Sequence, residues 1–294
     1  MRVRQSNTME YKITERKKEI KVKIFNIKLI SKERKGTEAY IQLIERVFKN
    51  WPRIDVGSHR AIEFMRTIKD KDILLYYGQI IKYTILDDEN WYNRKTNQLQ
   101  SYEIDDDMYP NSVECKFFFL PEIHRFCYID KNEFSDKQME HFLRSSFQTA
   151  INESEELKID IEVSLDAINE ILSADIVSRL EIDVSYTNND LTEDYEMFVD
   201  DDLKDTGVSS LHLVANSRKK STLDLLKSKL LKGYLMLSRK NGSATATIKN
   251  GKKPRKKIIT KDHPNRLSLQ VDKEFMEHDV YTQMIQRYKS KKNE

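Results

Sequence analysis

The stretch EIKVKIFNIKLI, residues 19–30, followed across a short polar gap by GTEAYIQLIERVF, residues 36–48, decides the fold class. In the first segment Ile20, Val22, Ile24, Asn26 and Lys28 fall on one side of a two-residue repeat. Lys21, Lys23, Phe25, Ile27 and Leu29 fall on the other, which predicts a strand. In the second segment Ala39, Ile41, Leu43, Ile44, Val47 and Phe48 recur at helical spacing. Thr37 is the expected N-cap, because a hydroxyl there accepts from an open amide of the first turn. A strand feeding an amphipathic helix is the first unit.

Working outward, β-branched and aromatic enrichment predicts strands over 62–68 and 72–86, with Gly78 marking a bulge or a close backbone approach. An acidic and amide-rich connection, 87–111, carries Trp91-Tyr92, and two apolar runs, 113–120 and 123–129, predict a hairpin turning at Pro121-Glu122. Ser135 with Gln138 three residues on reads as a capping box before a helix of Met139, Phe142, Leu143 and Phe147. A strand over 157–163, a short helix over 165–172 and a strand over 177–184 follow. Hairpins and crossovers together make this α+β, with mixed sheets and packed helices.

Beyond an acidic, weakly periodic connection, 189–210, the sequence predicts a second, smaller α+β unit. Its elements are a strand over 211–215, a helix over 222–231 starting at Ser221 or Thr222, and a hairpin over 233–248 centred on Asn241-Gly242. A strand over 266–271 and a closing helix over 280–288 complete it. The expected organisation is therefore an N-terminal domain over 1–188 and a basic C-terminal unit over 211–294.

Composition narrows the classes. Among 294 residues 38% are hydrophobic and 34% charged, and aromatics at 10% are too many for a disordered chain. No apolar run approaches the roughly 18 residues that span a bilayer, and the first 35 residues carry no apolar signal core, so no membrane insertion and a cytoplasmic location are expected. Cys115 and Cys127 make no disulfide framework or zinc pattern and are expected as free, buried thiols.

The net charge of +3 conceals a polarised chain. Residues 152–205 hold 3 basic and 18 acidic side chains, a net of −15, whereas residues 216–294 hold 21 basic and 7 acidic, a net of +14. Charge several Debye lengths away does not cancel a local patch, so this asymmetry bears on partners. Two clusters stand out: Arg218, Lys219 and Lys220, and Lys252, Lys253, Arg255, Lys256 and Lys257. Cations so spaced meet successive phosphates, the contact that dominates non-specific affinity for duplex DNA, with Tyr234 a candidate further contact. The same clusters also fit a solvated face, an internal ion-pair partner for the acidic segment or, around Pro254, a nuclear-import signal. The acidic stretch 190–205, with Asp200, Asp201, Asp202 and Asp205, is either a solvated loop or a displaceable cover over the basic face.

Catalytic patterns are sparse. No two of His59, His124, His141, His212, His263 and His278 are spaced to hold one metal from a helix face, and the glycine-rich phosphate and nucleophile-elbow patterns are absent. Asp105, Asp106 and Asp107 before Glu114-Cys115-Lys116 resemble the acid and Glu-x-Lys arrangement of metal-dependent nucleases. The triplet recurs by chance at Glu15-Arg16-Lys17 and Glu19-Ile20-Lys21. Asp262-His263-Pro264 reads as a turn, and Phe117-Phe118-Phe119 and Tyr76-Tyr77 read as core rather than base-stacking platforms. No catalytic residue, cofactor or metal is expected, and binding is the favoured class. The rivals are a metal-dependent nuclease and a protein-binding adaptor in a toxin and antidote pair.

Residues 23–48, 79–97 with Trp91-Tyr92-Asn93 and Thr96, 117–143, and Thr260-Lys261-Asp262-His263-Pro264 resemble an uncharacterised prokaryotic family found beside phage-defence genes. More distantly, the chain is similar in architecture and basic character to RexA-like phage-exclusion proteins and to the DNA-binding subunit of Kiwa-type defence systems. That resemblance implies a homodimeric, DNA-binding, non-catalytic component of an anti-phage system, with a possible second defence protein as partner. It transfers no functional residue.

Overall fold

The computed structural model describes residues 17–87, 89–103, 105, 107–187, 194–218 and 221–289. In chain order the elements begin with β1 (Lys17–Ile30), α1 (Gly36–Asn50), β2 (Ile54–Asp55), β3 (Arg60–Asp70), β4 (Leu75–Thr84) and the small hairpin β5 (Trp91–Asn93) and β6 (Gln98–Gln100). Next come β7 (Val113–Leu120), β8 (Arg125–Ile129), α2 (Asp136–Gln148), β9 (Glu156–Ile161), α3 (Leu165–Leu172), β10 (Ile176–Val184) and α4 (Asp194–Asp205). The chain continues through β11 (Leu211–Asn216), α5 (Lys229–Leu237), β12 (Gly242–Lys249), β13 (Lys256–Ile259), β14 (Arg266–Asp272) and α6 (Met276–Lys289). The fold is α+β, with antiparallel pairing throughout.

The alternation in residues 19–30 explains why β1 is the spine of the larger sheet, ordered β14-β1-β8-β7-β4-β3-β2. β9 shares the β14 edge of β1: β14 pairs Lys17 to Lys23, and β9 pairs Phe25 to Ile30. Phe25, Ile27 and Leu29 point into a core closed by α1 and α2, while Ile20, Val22 and Ile24 meet Leu269, Val271, Val280 and Met284 of β14 and α6. Both faces of β1 are covered. In the first core Phe64 meets Phe48, Phe117, Phe126 and Phe142 at ring separations of 5.0–6.5 Å. Each such side chain taken from water contributes about 1.5–3 kcal/mol.

Gly78 sits beside a register shift between Phe64 and Arg66, and a Cβ there would lie 1.8 Å from the Arg66 carbonyl oxygen, so the two strands approach where only glycine fits. Ser135 accepts from the Gln138 amide as the capping pattern predicts. The Gln138 side chain is used elsewhere, accepting from Lys82 Nζ at 2.7 Å.

The smaller sheet is ordered β11-β10-β12-β13. Its inner face, with Val177, Leu180, Ile182, Val184, Ala244, Ala246 and Ile248, packs with Ile168 and Ile171 of α3, Val199 and Leu203 of α4, and Leu235 of α5. The sheets do not divide at the acidic connection: β10 lies before it yet belongs to the smaller sheet, whereas β14 lies after it and pairs with β1.

Four local expectations are corrected. Lys35, not Thr37, precedes α1, and no side chain caps that helix. The acidic connection folds into α4 because Val199 and Leu203 repeat at helical spacing and find the second core. Residues 222–227 are not helical. Thr222 Oγ1 accepts from the Val177 amide at 2.8 Å, which ties this stretch to the sheet end, and α5 begins after Ser228, whose hydroxyl accepts from Leu231 N. Asn241-Gly242 turns a helix into a strand, not a strand into a strand. Gly242 has φ 151°, and a Cβ there would lie 1.9 Å from the Asp183 carbonyl oxygen, so glycine is set by packing against β10.

Candidate nucleic-acid interface

Antiparallel register decides where the basic clusters fall. The C-terminal end of β11 pairs with the start of β10 through Asn216 and Arg179, and that end of β10 pairs with Lys249 at the end of β12. Ile248 in turn faces Lys256 at the start of β13. Arg218, two residues beyond β11, and the 250–255 loop joining β12 to β13 therefore share one end of the smaller sheet, although they are more than thirty residues apart in sequence. Lys219 and Lys220 lie outside the described residues.

The loop has a built base. Gly251 N donates to Asp175 Oδ2 at 2.7 Å, Asp175 N donates to Asn250 Oδ1 at 3.1 Å, and Lys253 N closes a turn on the Asn250 carbonyl. Lys252, Lys253, Arg255, Lys256 and Lys257 are all exposed. Lys256 is ion-paired with Glu170 of α3 at 2.8 Å, and among the described residues Arg218, Lys252, Lys253, Arg255 and Lys257 have no carboxylate partner. Such a surface holds unneutralised cations in water, where a polyanion can reach them.

The outer face of the smaller sheet extends this end. Across the strands run the rows Asn216, Arg179, Thr247, Lys257 and then Val214, Glu181, Thr245, Ile259. The side chains of Val214 and Ile259 are exposed, so no helix covers this face there. Sequence reading missed Arg179, which donates to Asn216 Oδ1 at 3.2 Å and pairs with Glu181. The two-residue repeat of β10 put Arg179 on the outer face, but its neighbours depend on register.

The acidic segment does not meet this basic end among the described residues. Asp200 is buried, accepting from Thr187 N and Thr187 Oγ1 at 2.5 Å each and from Lys204 Nζ at 2.6 Å. Thr187 follows the far end of β10, opposite the 250–255 loop. Both the solvated-loop and the cover readings of 190–205 give way to a packed helix where it is described. Tyr234 is likewise buried in the second core rather than presented to a groove.

The nuclease pattern is not assembled. Glu114 accepts from Gln79 Nε2 at 2.8 Å, Lys116 pairs with Glu277 at 3.3 Å, and Asp105 caps the Asp107 amide, while Asp106 lies outside the described residues. Among the described residues no group of three or more His, Cys, Asp and Glu is set to hold a metal. Phe117, Phe118, Phe119 and Tyr76 are core, and Cys115 and Cys127 are free and buried, with burial pushing the Cys115 thiol up to about 12. Among the described residues no helix is long and apolar enough to cross a membrane.

Fold and surface together define an α+β protein of two joined antiparallel sheets with exposed cations at one end of the smaller. The chain belongs to the family described as a domain of unknown function, DUF4747, whose model matches residues 18–286. No curated protein matches it.

Proposed function

We propose that the basic end of the smaller sheet binds nucleic acid, duplex DNA foremost, through its phosphates and without chemistry on it, as a component of anti-phage defence. One observation carries the binding step: the fold brings Arg218 and the 252–257 cluster, distant in sequence, to one sheet end where five of these cations have no carboxylate partner among the described residues. An internal ion-pair role would pair these cations with carboxylates, yet among the described residues only Lys256 of the cluster is so paired, Asp175 is turned to the Gly251 amide, and the acidic α4 is anchored by Asp200 at the other end. The defence context comes from the family resemblance alone.

The test is a gel-shift series with duplex DNA, single strands and RNA across salt. Log affinity for the duplex is expected to fall linearly with log salt at about 0.9 per phosphate neutralised. Reversing Lys252, Lys253, Arg255 and Lys257 to Glu together is expected to weaken binding to every duplex sequence and to lower the slope by about 3 to 4. Salt-independent binding, or a slope unchanged in the reversed protein, would overturn the proposal. Nicking of plasmid by pure protein with Mg²⁺, lost in Glu114→Ala, would replace it with the nuclease.

A further inference from the structure

Between β4 and β7 the chain leaves the larger sheet and folds back as β5 and β6, which form a two-stranded sheet of their own. Its own residues build this hairpin. Asn93 Oδ1 accepts from the Lys95 and Thr96 amides to close the turn, Asn93 Nδ2 donates to Gln100 Oε1 at 3.0 Å, and the Tyr92 hydroxyl donates to Asn97 Oδ1 at 2.7 Å. At the base Trp91 Nε1 donates to the Asp87 carbonyl at 2.6 Å, and the Trp91 ring lies 5.5 Å from that of Tyr102.

The hairpin presents apolar groups to solvent. Tyr92 and Leu99 stand opposite each other in the register and so share one face, where they are 63% and 66% exposed. Trp91 is paired with Gln100 and so belongs to the other face, and it and Tyr102 are exposed as well. Among the described residues none of these four joins a hydrophobic core. A two-stranded hairpin alone is marginally stable in water and gains from a further packed element. Single exposed apolar residues need no explanation, but Tyr and Trp gathered on a preorganised hairpin are the large, rigid contacts that anchor protein interfaces at low entropic cost.

The charge around these rings selects the partner. Residues 87–107 hold 7 acidic and 2 basic side chains, a net of −5. Asp87 and Glu89 precede β5, and Glu103, Asp105 and Asp107 follow Tyr102, so the Trp91–Tyr102 contact brings acids from both sides of the hairpin to its aromatic base. All five are exposed, and among the described residues none has a cationic partner. The two cations, Arg94 and Lys95, lie apart from them at the turn. Such a border repels phosphates, so the hairpin is opposite in kind to the basic end of the smaller sheet. It attracts a protein segment rich in Lys and Arg, because complementary potentials steer the encounter and suppress wrong partners.

We propose that the β5-β6 hairpin is a docking surface for a partner protein: it takes a basic segment whose apolar residues cover Tyr92 and Leu99 while its lysines and arginines meet the acidic border. The inference uses no residue of the basic end and does not rest on the duplex-binding reading.

The test is selection from a phage-displayed library of random peptides of about twelve residues on the full chain, after depletion on the Tyr92→Ser, Leu99→Ser double variant. The enriched peptides are expected to combine apolar residues with an excess of Lys and Arg. Synthesised and titrated calorimetrically, they are expected to bind the Glu89→Lys, Glu103→Lys protein about tenfold more weakly than the parent. Both pairs of substitutions are at exposed positions outside the cores, and the two variants are expected to keep the parent's unfolding midpoint and duplex gel shift. The protein reversed at Lys252, Lys253, Arg255 and Lys257 is expected to keep peptide affinity, so the two proposals fail separately. No peptide enriched, enriched peptides without excess positive charge, or undiminished affinity in the Glu89→Lys, Glu103→Lys protein would overturn the inference. So would a thymidine oligonucleotide that binds the parent but not the Tyr92→Ser, Leu99→Ser protein, which would make the hairpin a base-stacking surface.

Discussion

The seam between the two sheets and the basic end of the smaller one use the same residue types in opposite ways. At the seam Arg125 is wholly buried: Nε donates to Glu162 Oε1 at 3.0 Å, and Nη1 donates to Asn26 Oδ1 at 2.5 Å and to the Ile123 carbonyl at 3.1 Å. Asn26 Nδ2 then donates to Asn241 Oδ1 at 2.8 Å and to the Lys240 carbonyl, while Tyr288 donates its hydroxyl to Glu162. Both charged members, Arg125 and Glu162, are partnered because an unpaired charge in so dry a place would be prohibitive, and the one donor of the network left open among the described residues, Asn241 Nδ2, is neutral. At the basic end the cations stand in water, where solvation sustains them unpaired. A chain that is 34% charged thus divides its charges between holding two sheets together and presenting a potential outward.

The largest expected effect is at the seam. Arg125→Ala leaves Glu162 buried without its cation, and a loss of about 3–5 kcal/mol is expected in denaturant unfolding. The double variant Arg125→Met with Glu162→Met is expected to lose less than Arg125→Ala, since no lone charge remains. A double variant as damaged as the single would show that these groups matter as packing volume, and the contrast with the basic end would rest on shape rather than charge.

Acid is expected to strike the buried pairs and spare the exposed end. Hydrogen bonds from Arg34 and the Asn152 amide hold the Glu155 carboxyl near 2 against its ordinary 4.5, so its contribution is complete above about pH 4.5 and fades as pH falls toward 2. That shift corresponds to about 3 kcal/mol. His124 works in the same direction: burial holds its imidazole near 3 against 6.5, so stability falls as pH drops below 6.5, where the unfolded chain takes the proton and the fold does not. Stability measured against pH is expected to lose its fall between about pH 6.5 and 4.5 in His124→Asn, and to fall less steeply below about pH 4.5 in Glu155→Gln, where the His124 contribution continues.

A smaller loss, about 1–3 kcal/mol, is expected for Gly242→Ala, which sets a methyl group against the Asp183 carbonyl at the join of α5 and β12. A protein as stable as the parent would mean that β12 can move away from β10.

The same residues show what could be read without coordinates. The β1 alternation and the α3 boundaries were legible because period and capping residues are local: Ser164 accepts from Ala167 N, and the helix spans 165–172 as its spacing predicts. Asn241-Gly242 misled because a turn signal says that the chain bends, not which elements it joins. Asp200 looked like part of a solvated stretch until Thr187, thirteen residues away, supplied its partners. Asn26 and Lys28 broke an apolar face for a reason that lies more than 150 residues downstream, in Asn241 and the Tyr186 carbonyl. At the interface both clusters were legible as charge, but their meeting depends on strand register, which composition does not encode.

The smallest expected effect closes the contrast from the other side. Lys256 and Glu170 are joined at 2.8 Å, a distance no longer than that of Arg125 to Glu162, yet their side chains are 57% and 37% exposed rather than 0% and 2%. In water the Coulomb gain is small and the cost of fixing two long side chains offsets most of it, so Lys256→Gln is expected to change stability by no more than about 0.5 kcal/mol. The same substitution removes a cation from the sheet end and is expected to lower the duplex salt slope by up to about 1. Measured together, unfolding and gel-shift data on this one variant separate the two roles of charge. A large loss of stability with an unchanged slope would place Lys256 with Arg125 as a structural cation and shrink the interface to the 252–255 loop, Lys257 and Arg218.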